Sequence, residues 1–260
     1  MTITFLTFTN TNYMSSDRIK KQAEEFKIFD NILGMTELDI PEFIKKHEQF
    51  INYYKPGYGY WIWKPKIILD NLLKLNENDI LIYCDAGMYF NINGKNRLLE
   101  YLNKLDDKIS LVTFSTNDNY KAQNFVKSDA VMNFYPNFNN ELNNCCYAGL
   151  MIIKKNQDTI NLISEWLQLC ENYHYLDHSP SNQYRESPIF CGNDCDNGLF
   201  NLCLAKYKIS HAIYPDEINL YSEDGKQLHH TDINPKQINW DSLKDFPFQC
   251  RRMTPKFGFN

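Results

Sequence analysis

Stretches of two hydrophobic periods alternate along this chain. Thr2 to Phe8 alternates apolar residues with threonine and reads as a strand. Asp17 to Phe26 sets Ile19, Ala23 and Phe26 at helical spacing, with Ser15, Ser16 or Asp17 as the N-cap. Lys27 to Leu33 reads as a second strand, ended by Gly34. Pro41 to Tyr54 reads as one helix with proline in its first turn. Pro65 to Leu75 repeats the device, with Ile68, Leu69, Leu72 and Leu73 on its apolar face. Asp79 to Cys84 is a continuous apolar strand, the pattern of a sheet covered on both sides. Further helices are predicted over Asn96 to Lys104, Asp158 to Cys170 and Asn197 to Lys206, and further strands over Ile109 to Phe114, Tyr147 to Ile153 and Ile209 to Ile213. Beyond residue 213 periodicity fades. Such β-α alternation predicts an α/β sandwich with a mostly parallel sheet. Ligands of such sheets lie at the carboxyl ends of the strands, which points to the residues just after Phe8, Cys84 and Phe114.

Composition narrows the partners. The chain has 260 residues, 43% hydrophobic, enough for one sizeable core. Its formal net charge is -5 and it has no long Lys/Arg run, so a general nucleic-acid binder is not expected, although a local pocket can still take a small anion. The N-terminus lacks the basic start and unbroken apolar run of a signal peptide. There is no apolar run of the ~18 residues that read as a membrane span. A cytoplasmic protein with reduced, mostly buried thiols is therefore expected from the eight scattered cysteines. Contact with a membrane could only be peripheral, and the sequence sets no oligomeric state.

Two segments carry chemistry. Tyr83-Cys84-Asp85-Ala86-Gly87 delivers one carboxylate to a strand end and then turns. An Asp there can hold a hard divalent cation or a ligand, or it can cap the turn. Upstream, Tyr53 to Trp63 packs six aromatics into eleven residues, with Gly57 and Gly59 letting the backbone bend. Such rings suit a nucleotide base or a sugar face, or form a local core beneath a loop. Lys64 comes next, at a helix start, where phosphate is favoured.

The run Gly57-Tyr58-Gly59-Tyr60-Trp61-Ile62-Trp63-Lys64-Pro65, with Asp79-Ile80-Leu81-Ile82-Tyr83-Cys84-Asp85-Ala86-Gly87 downstream of it, resembles the "YGFWIWKP" and "GDILLYLDAG" blocks of GT-A glycosyltransferases from capsule and glycan loci. Phe125 to Asp129, Ala148 to Lys155, Glu165 to Leu167 and Asp194 to Phe200 continue the resemblance. It covers roughly residues 3 to 213. It implies a Rossmann-like α/β/α fold in a single domain over residues 1–260: a nucleotide-sugar half at 1–115, an acceptor-side half at 116–213 and an irregular closing tail at 214–260. The implied activity is transfer from a UDP- or GDP-linked sugar, with manganese or magnesium, to a glycan, lipid-linked or protein acceptor.

Carried over residue by residue, the resemblance puts Asp85 at the metal or donor and Asp196 or Asp194 at the acceptor hydroxyl. The family's usual motif is Asp-x-Asp, and here the third position is Gly87, which weakens the case for a metal. His230 of the His229-His230 pair is a further metal candidate. Thr7, Asn10, Arg18, Tyr60, Trp63, Lys64, Ala86, Gly87, Lys127 and Arg251 are candidates for the donor site, with Lys64, Lys127 and Arg251 able to meet leaving-group charge. The missing second acid keeps a non-catalytic nucleotide-sugar binder on the same fold as the alternative.

Overall fold

A computed structural model describes residues 1–13, 15–115, 120–140, 144–209, 211–213, 220–221, 227–228 and 243–249, with backbone alone at 140 and at the three segments between 211 and 228. The central sheet has six strands in the order β2-β1-β3-β6-β5-β7. These are β1 (Ile3–Phe8), β2 (Asn31–Met35), β3 (Ile80–Cys84), β5 (Leu111–Ser115), β6 (Cys146–Lys154) and β7 (His211–Ile213). All pairings are parallel except those of β6, which runs against both β3 and β5. Two-stranded pairs join β4 (Tyr89–Phe90) to β10 (Phe248–Gln249) and β8 (Leu220–Tyr221) to β9 (Gln227–Leu228).

Alternation along the buried strands feeds two cores, one on each face of the sheet. Phe5, Ile80, Ile82 and Cys84 pack with Ile19, Ala23 and Phe26 of α1 (Asp17–Phe26) and with Leu98 and Tyr101 of α6 (Lys95–Leu102). Leu6, Phe8, Leu81 and Tyr83 pack with α5 (Trp63–Lys74), α8 (Gln157–Glu171) and α10 (Cys195–Tyr207). Each such side chain taken fully from water contributes about 1.5–3 kcal/mol before entropy is set against it. Shorter helices α2 (Pro41–Lys46), α3 (Glu48–Tyr53), α4 (Gly57–Tyr60), α7 (Ser128–Phe134) and α9 (Tyr173–Leu176) complete the described chain.

Several boundaries differ from the periodicity. The second strand begins at Asn31 and runs through Gly34, because Lys27 turns left-handed (φ 51°) to close α1. A Cβ on Gly34 would stand 2.4 Å from Ser16 Oγ, so that glycine lets α1 approach the sheet and does not end the strand. The expected single helix from Pro41 to Tyr54 breaks at His47, whose buried ring bonds Tyr173 Oη at 2.7 Å and Glu171 Oε1 at 2.9 Å. Helix α5 begins at Trp63, two residues before expected. Pro65 therefore lies in the first turn, where its missing N–H costs no helical bond. The described end of the expected irregular tail is packed strand: β10 pairs with β4, and Phe248 stacks on Phe90 at 4.8 Å. No described helix is long and apolar enough to cross a membrane.

Candidate active site

Strand β3 presents Leu81 and Tyr83 to the α5 face, and the same period carries Asp85 to that side at the strand's carboxyl end. Asp85 N donates to Gly149 O of β6 at 2.8 Å, which sets its backbone beside the antiparallel strand. The carboxylate is braced from both sides. Tyr83 Oη donates to Oδ1 at 2.7 Å and Tyr147 Oη donates to Oδ2 at 3.0 Å. Burial beside this carboxylate holds the Tyr83 phenol well above its ordinary value, so it stays a donor. A Cβ on Gly149 would meet Asp85 Oδ2 at 2.4 Å and Tyr147 Cζ at 2.3 Å, so only glycine leaves room for this pair. Among the described residues nothing stands within 4 Å of a Cβ added at Gly87, so the turn after Asp85 is open on that side.

The aromatic block forms a left-handed turn. Gly57, Tyr58, Gly59, Tyr60 and Trp61 have φ of 59°, 56°, 84°, 51° and 60°. Tyr60 N and Trp61 N donate to Pro56 O and Gly57 O at 2.9 and 3.1 Å, closing a helical turn of the wrong hand for L-residues. Each non-glycine residue there costs roughly 1–2 kcal/mol. The turn is held by packing: Trp63 stacks on Phe8 at 3.8 Å and its Nε1 donates to Gly57 O at 2.9 Å. Tyr60 lies against Tyr54 and the His178 ring, at 4.7 and 4.8 Å. Tyr60 and Trp63, expected in the cleft, are thus interior side chains, because apolar rings at the start of α5 gain more from the core than from water.

What the turn delivers to the site is Lys64. Its Nζ lies 3.0 Å from Asp196 Oδ2 and 3.6 Å from Asp85 Oδ1, with the rings of Trp61 and Tyr83 at 5.8 and 5.9 Å. Lys64 and Asp196 are each 4% exposed in their side chains and Asp85 24%. Burial pushes the Asp196 carboxyl up to about 7, with the Lys64 charge opposing and Asp85 and Asp194 adding to the rise. Asp194 is the N-cap residue of α10 and is half-buried. Its Oδ2 accepts from Asn197 Nδ2 at 2.7 Å and from Tyr120 Oη at 3.4 Å, while Asn197 Oδ1 accepts from Ala148 N at 2.6 Å. One ammonium, three carboxylates and a ring of phenols therefore converge where β3, β6 and the start of α10 meet.

The other expected site residues divide. Ala86 O accepts from Arg18 Nη2 at 2.5 Å, so Arg18 reaches the Asp85–Gly87 turn from α1. Thr7 is fully buried, with its Oγ1 unpartnered among the described residues. Asn10 folds its own loop, accepting from Asn12 N at 3.1 Å. Lys127 is not brought to the cluster. Its buried ammonium is held by Asp177 Oδ1 at 2.6 Å, His174 O at 2.5 Å and Ser179 Oγ at 3.1 Å, so its charge is already matched. Next to it, Asp129 takes the amides of Asn182, Gln183 and Tyr184 and the ring of His174. Burial alone would raise this carboxyl, but those donors outweigh it and hold it at about 2. The Phe125–Asp129 block is thus a clasp for the loop after α9. His230 and Arg251 lie outside the described residues.

The periodicity missed Tyr83, Tyr147, Gly149, Tyr120 and Asn197. Tyr83 had a signal in its position two residues before Asp85 on one strand face, and Gly149 and Asn197 stood inside the segments of the resemblance without a role. A divalent cation at Asp85 does not fit the described residues. No group of three or more His, Cys, Asp or Glu side chains among them could hold one. The Lys64 ammonium also sits 3.6 Å from Asp85 Oδ1, and it would repel a second cation placed at that oxygen.

No protein-family model and no curated protein matches the chain. Among solved structures, a glycosyltransferase involved in the glycosylation of the major capsid of PBCV-1 aligns with a TM-score of 0.50 and 14% identity, over 98% of this chain and 95% of that one. Mouse xyloside xylosyltransferase 1 aligns at 0.45 and 10% identity, over 99% and 87%. Glucosyl-3-phosphoglycerate synthase from Mycobacterium tuberculosis aligns at 0.40 and 11%, over 93% and 74%. The fold is the GT-A type α/β sandwich.

Proposed function

We propose that the protein is a glycosyltransferase that moves a sugar from a UDP- or GDP-linked donor to a glycan, lipid-linked or protein acceptor. The observation that carries this reading is the carboxylate of Asp85. It stands at the carboxyl end of a central strand, braced by Tyr83 and Tyr147, beside open space at Gly87. A fixed, partly exposed carboxylate suits hydroxyls of a ribose or sugar, which donate to it. The shared fold with a capsid-glycosylating enzyme adds support.

In this reading Asp194 takes the proton of the acceptor hydroxyl, because it is half-buried whereas Asp196 is enclosed. Asp196 is buried behind Lys64 and positions that ammonium. The acceptor oxygen forms its bond to the anomeric carbon as the bond to the phosphate oxygen breaks, and the diphosphate leaves with the electron pair. The test is turnover across a panel of UDP- and GDP-sugars with glycan acceptors. Transfer or donor hydrolysis that Asp194→Ala removes supports the reading. The second reading, a binder without turnover, rests on Gly87 standing where the second acid of Asp-x-Asp is expected; it predicts donor binding with no turnover in any combination. We assign the activity to the cytoplasm, with any lipid-linked acceptor met at the membrane surface.

A further inference from the structure

The leaving diphosphate needs positive charge, and the Lys64 ammonium has none to spare. It faces two carboxylates, those of Asp85 and Asp196, so the three groups together are neutral or negative. Arg18 is different. Among the described residues no carboxylate lies within ion-pair reach of it, although its side chain is half-buried. Two bonds hold the guanidinium in place: Nη2 to Ala86 O at 2.5 Å and Nη1 to Gln22 Oε1 at 2.8 Å. Gln22 Oε1 is itself fixed by Phe90 N at 3.1 Å. An arginine has five N–H donors, so two bonds leave three for a ligand. The carbonyl it grips belongs to Ala86, one residue before the open space at Gly87. Thr7 lies two residues after Phe5 on the α1 face of β1, and its hydroxyl is a buried polar group on that same side of the sheet with no partner among the described residues.

Resting on the donor reading above, we infer that Arg18 binds the diphosphate of the nucleotide donor, supplying from α1 the charge that a divalent cation would otherwise bring to Asp85. A planar guanidinium matches phosphate oxygens in pairs and is always charged, which suits it to the task. Half-burial strengthens the attraction relative to an exposed cation. In this inference Arg18 takes the phosphates and no part of the nucleoside.

The test is calorimetric binding of UDP, GDP, uridine and guanosine to the full chain in EDTA and again in manganese, for the wild type, Arg18→Gln and Arg18→Lys, with thermal melts to confirm folding. A diphosphate should bind in EDTA. Arg18→Gln should weaken that binding about tenfold or more and leave the matching nucleoside unchanged, with Arg18→Lys between the two. Diphosphate binding that appears only with manganese overturns the role of Arg18 while leaving the donor reading intact. An equal loss for diphosphate and nucleoside, or no loss at all, also overturns it. If the wild type binds no nucleotide under either condition, the donor reading fails and this inference fails with it.

Discussion

Lys64 Nζ stands 3.0 Å from Asp196 Oδ2, and both side chains are 4% exposed. The pair joins the start of α5 to the start of α10 and leaves the ammonium 3.6 Å from Asp85. Taking two charges out of water is costly, and a buried pair survives only while both partners remain. Lys64→Met removes the cation that lies between Asp196 and Asp85, so it should destabilise the fold by about 3–5 kcal/mol. Lys64→Met combined with Asp196→Asn should recover much of that loss. Urea unfolding of the three proteins at neutral pH measures both values, and additive losses would contradict the pairing.

The same carboxyl makes stability depend on pH. Burial raises Asp196 from its ordinary 3.8 to about 7 in the folded chain. In the window between those values the folded state binds the proton and the unfolded state does not. The contribution of Asp196 is therefore fully present below about pH 4, is lost as pH rises through about 7, and is flat above that. Asp196→Asn should flatten this part of the profile. Chemical denaturation at pH 5 and pH 8 should show a larger drop for the wild type than for the variant.

Two glycines near Asp85 should respond oppositely. Gly149→Ala places a methyl 2.4 Å from Asp85 Oδ2, so the carboxylate or the Tyr147 ring must move. Donor binding and turnover should fall tenfold or more by order of magnitude, since small misplacements at a reacting centre are expensive. Gly87→Ala meets no described atom within 4 Å and should melt as the wild type does, whereas Gly149→Ala should melt earlier. Equal melting of the two variants would argue against the geometry.

The clasp around Asp129 is a structural device. Removing a buried carboxylate that receives three backbone amides leaves those amides unpaired, at about 1–3 kcal/mol for each uncompensated group. Asp129→Ala should therefore loosen residues 181–186 first. Hydrogen exchange of the amides of Asn182 and Tyr184 should rise in the variant, with the amides of β3 unchanged.

The sheet and its helices were largely legible because apolar periodicity is local. The strand ending at Asp85 and the helix from Asp17 to Phe26 come from spacing alone. The cluster was legible only in part. Lys64 and Asp196 lie far apart in the chain, and nothing in either segment announces the other. The role of Gly149 depends on the antiparallel register of β3 with β6, in which Cys84 pairs with Leu150. Trp63 and Tyr60 misled because a ring that suits a nucleotide suits a core equally well. The left-handed turn from Gly57 to Trp61 was unreadable beyond its two glycines, since Tyr58, Tyr60 and Trp61 adopt φ values that side chains disfavour. Tertiary packing, including the stack of Trp63 on Phe8, holds what local preference resists.

The most direct measurement is equilibrium binding of UDP- and GDP-sugars to the wild type and to Asp85→Asn, which keeps the shape of the side chain and removes its charge. A carboxylate that receives donor hydroxyls predicts measurable binding of at least one nucleotide-sugar and a loss of about tenfold or more in the variant. Binding that is indifferent to Asp85→Asn would place the donor somewhere other than the carboxyl end of β3 and contradict the account.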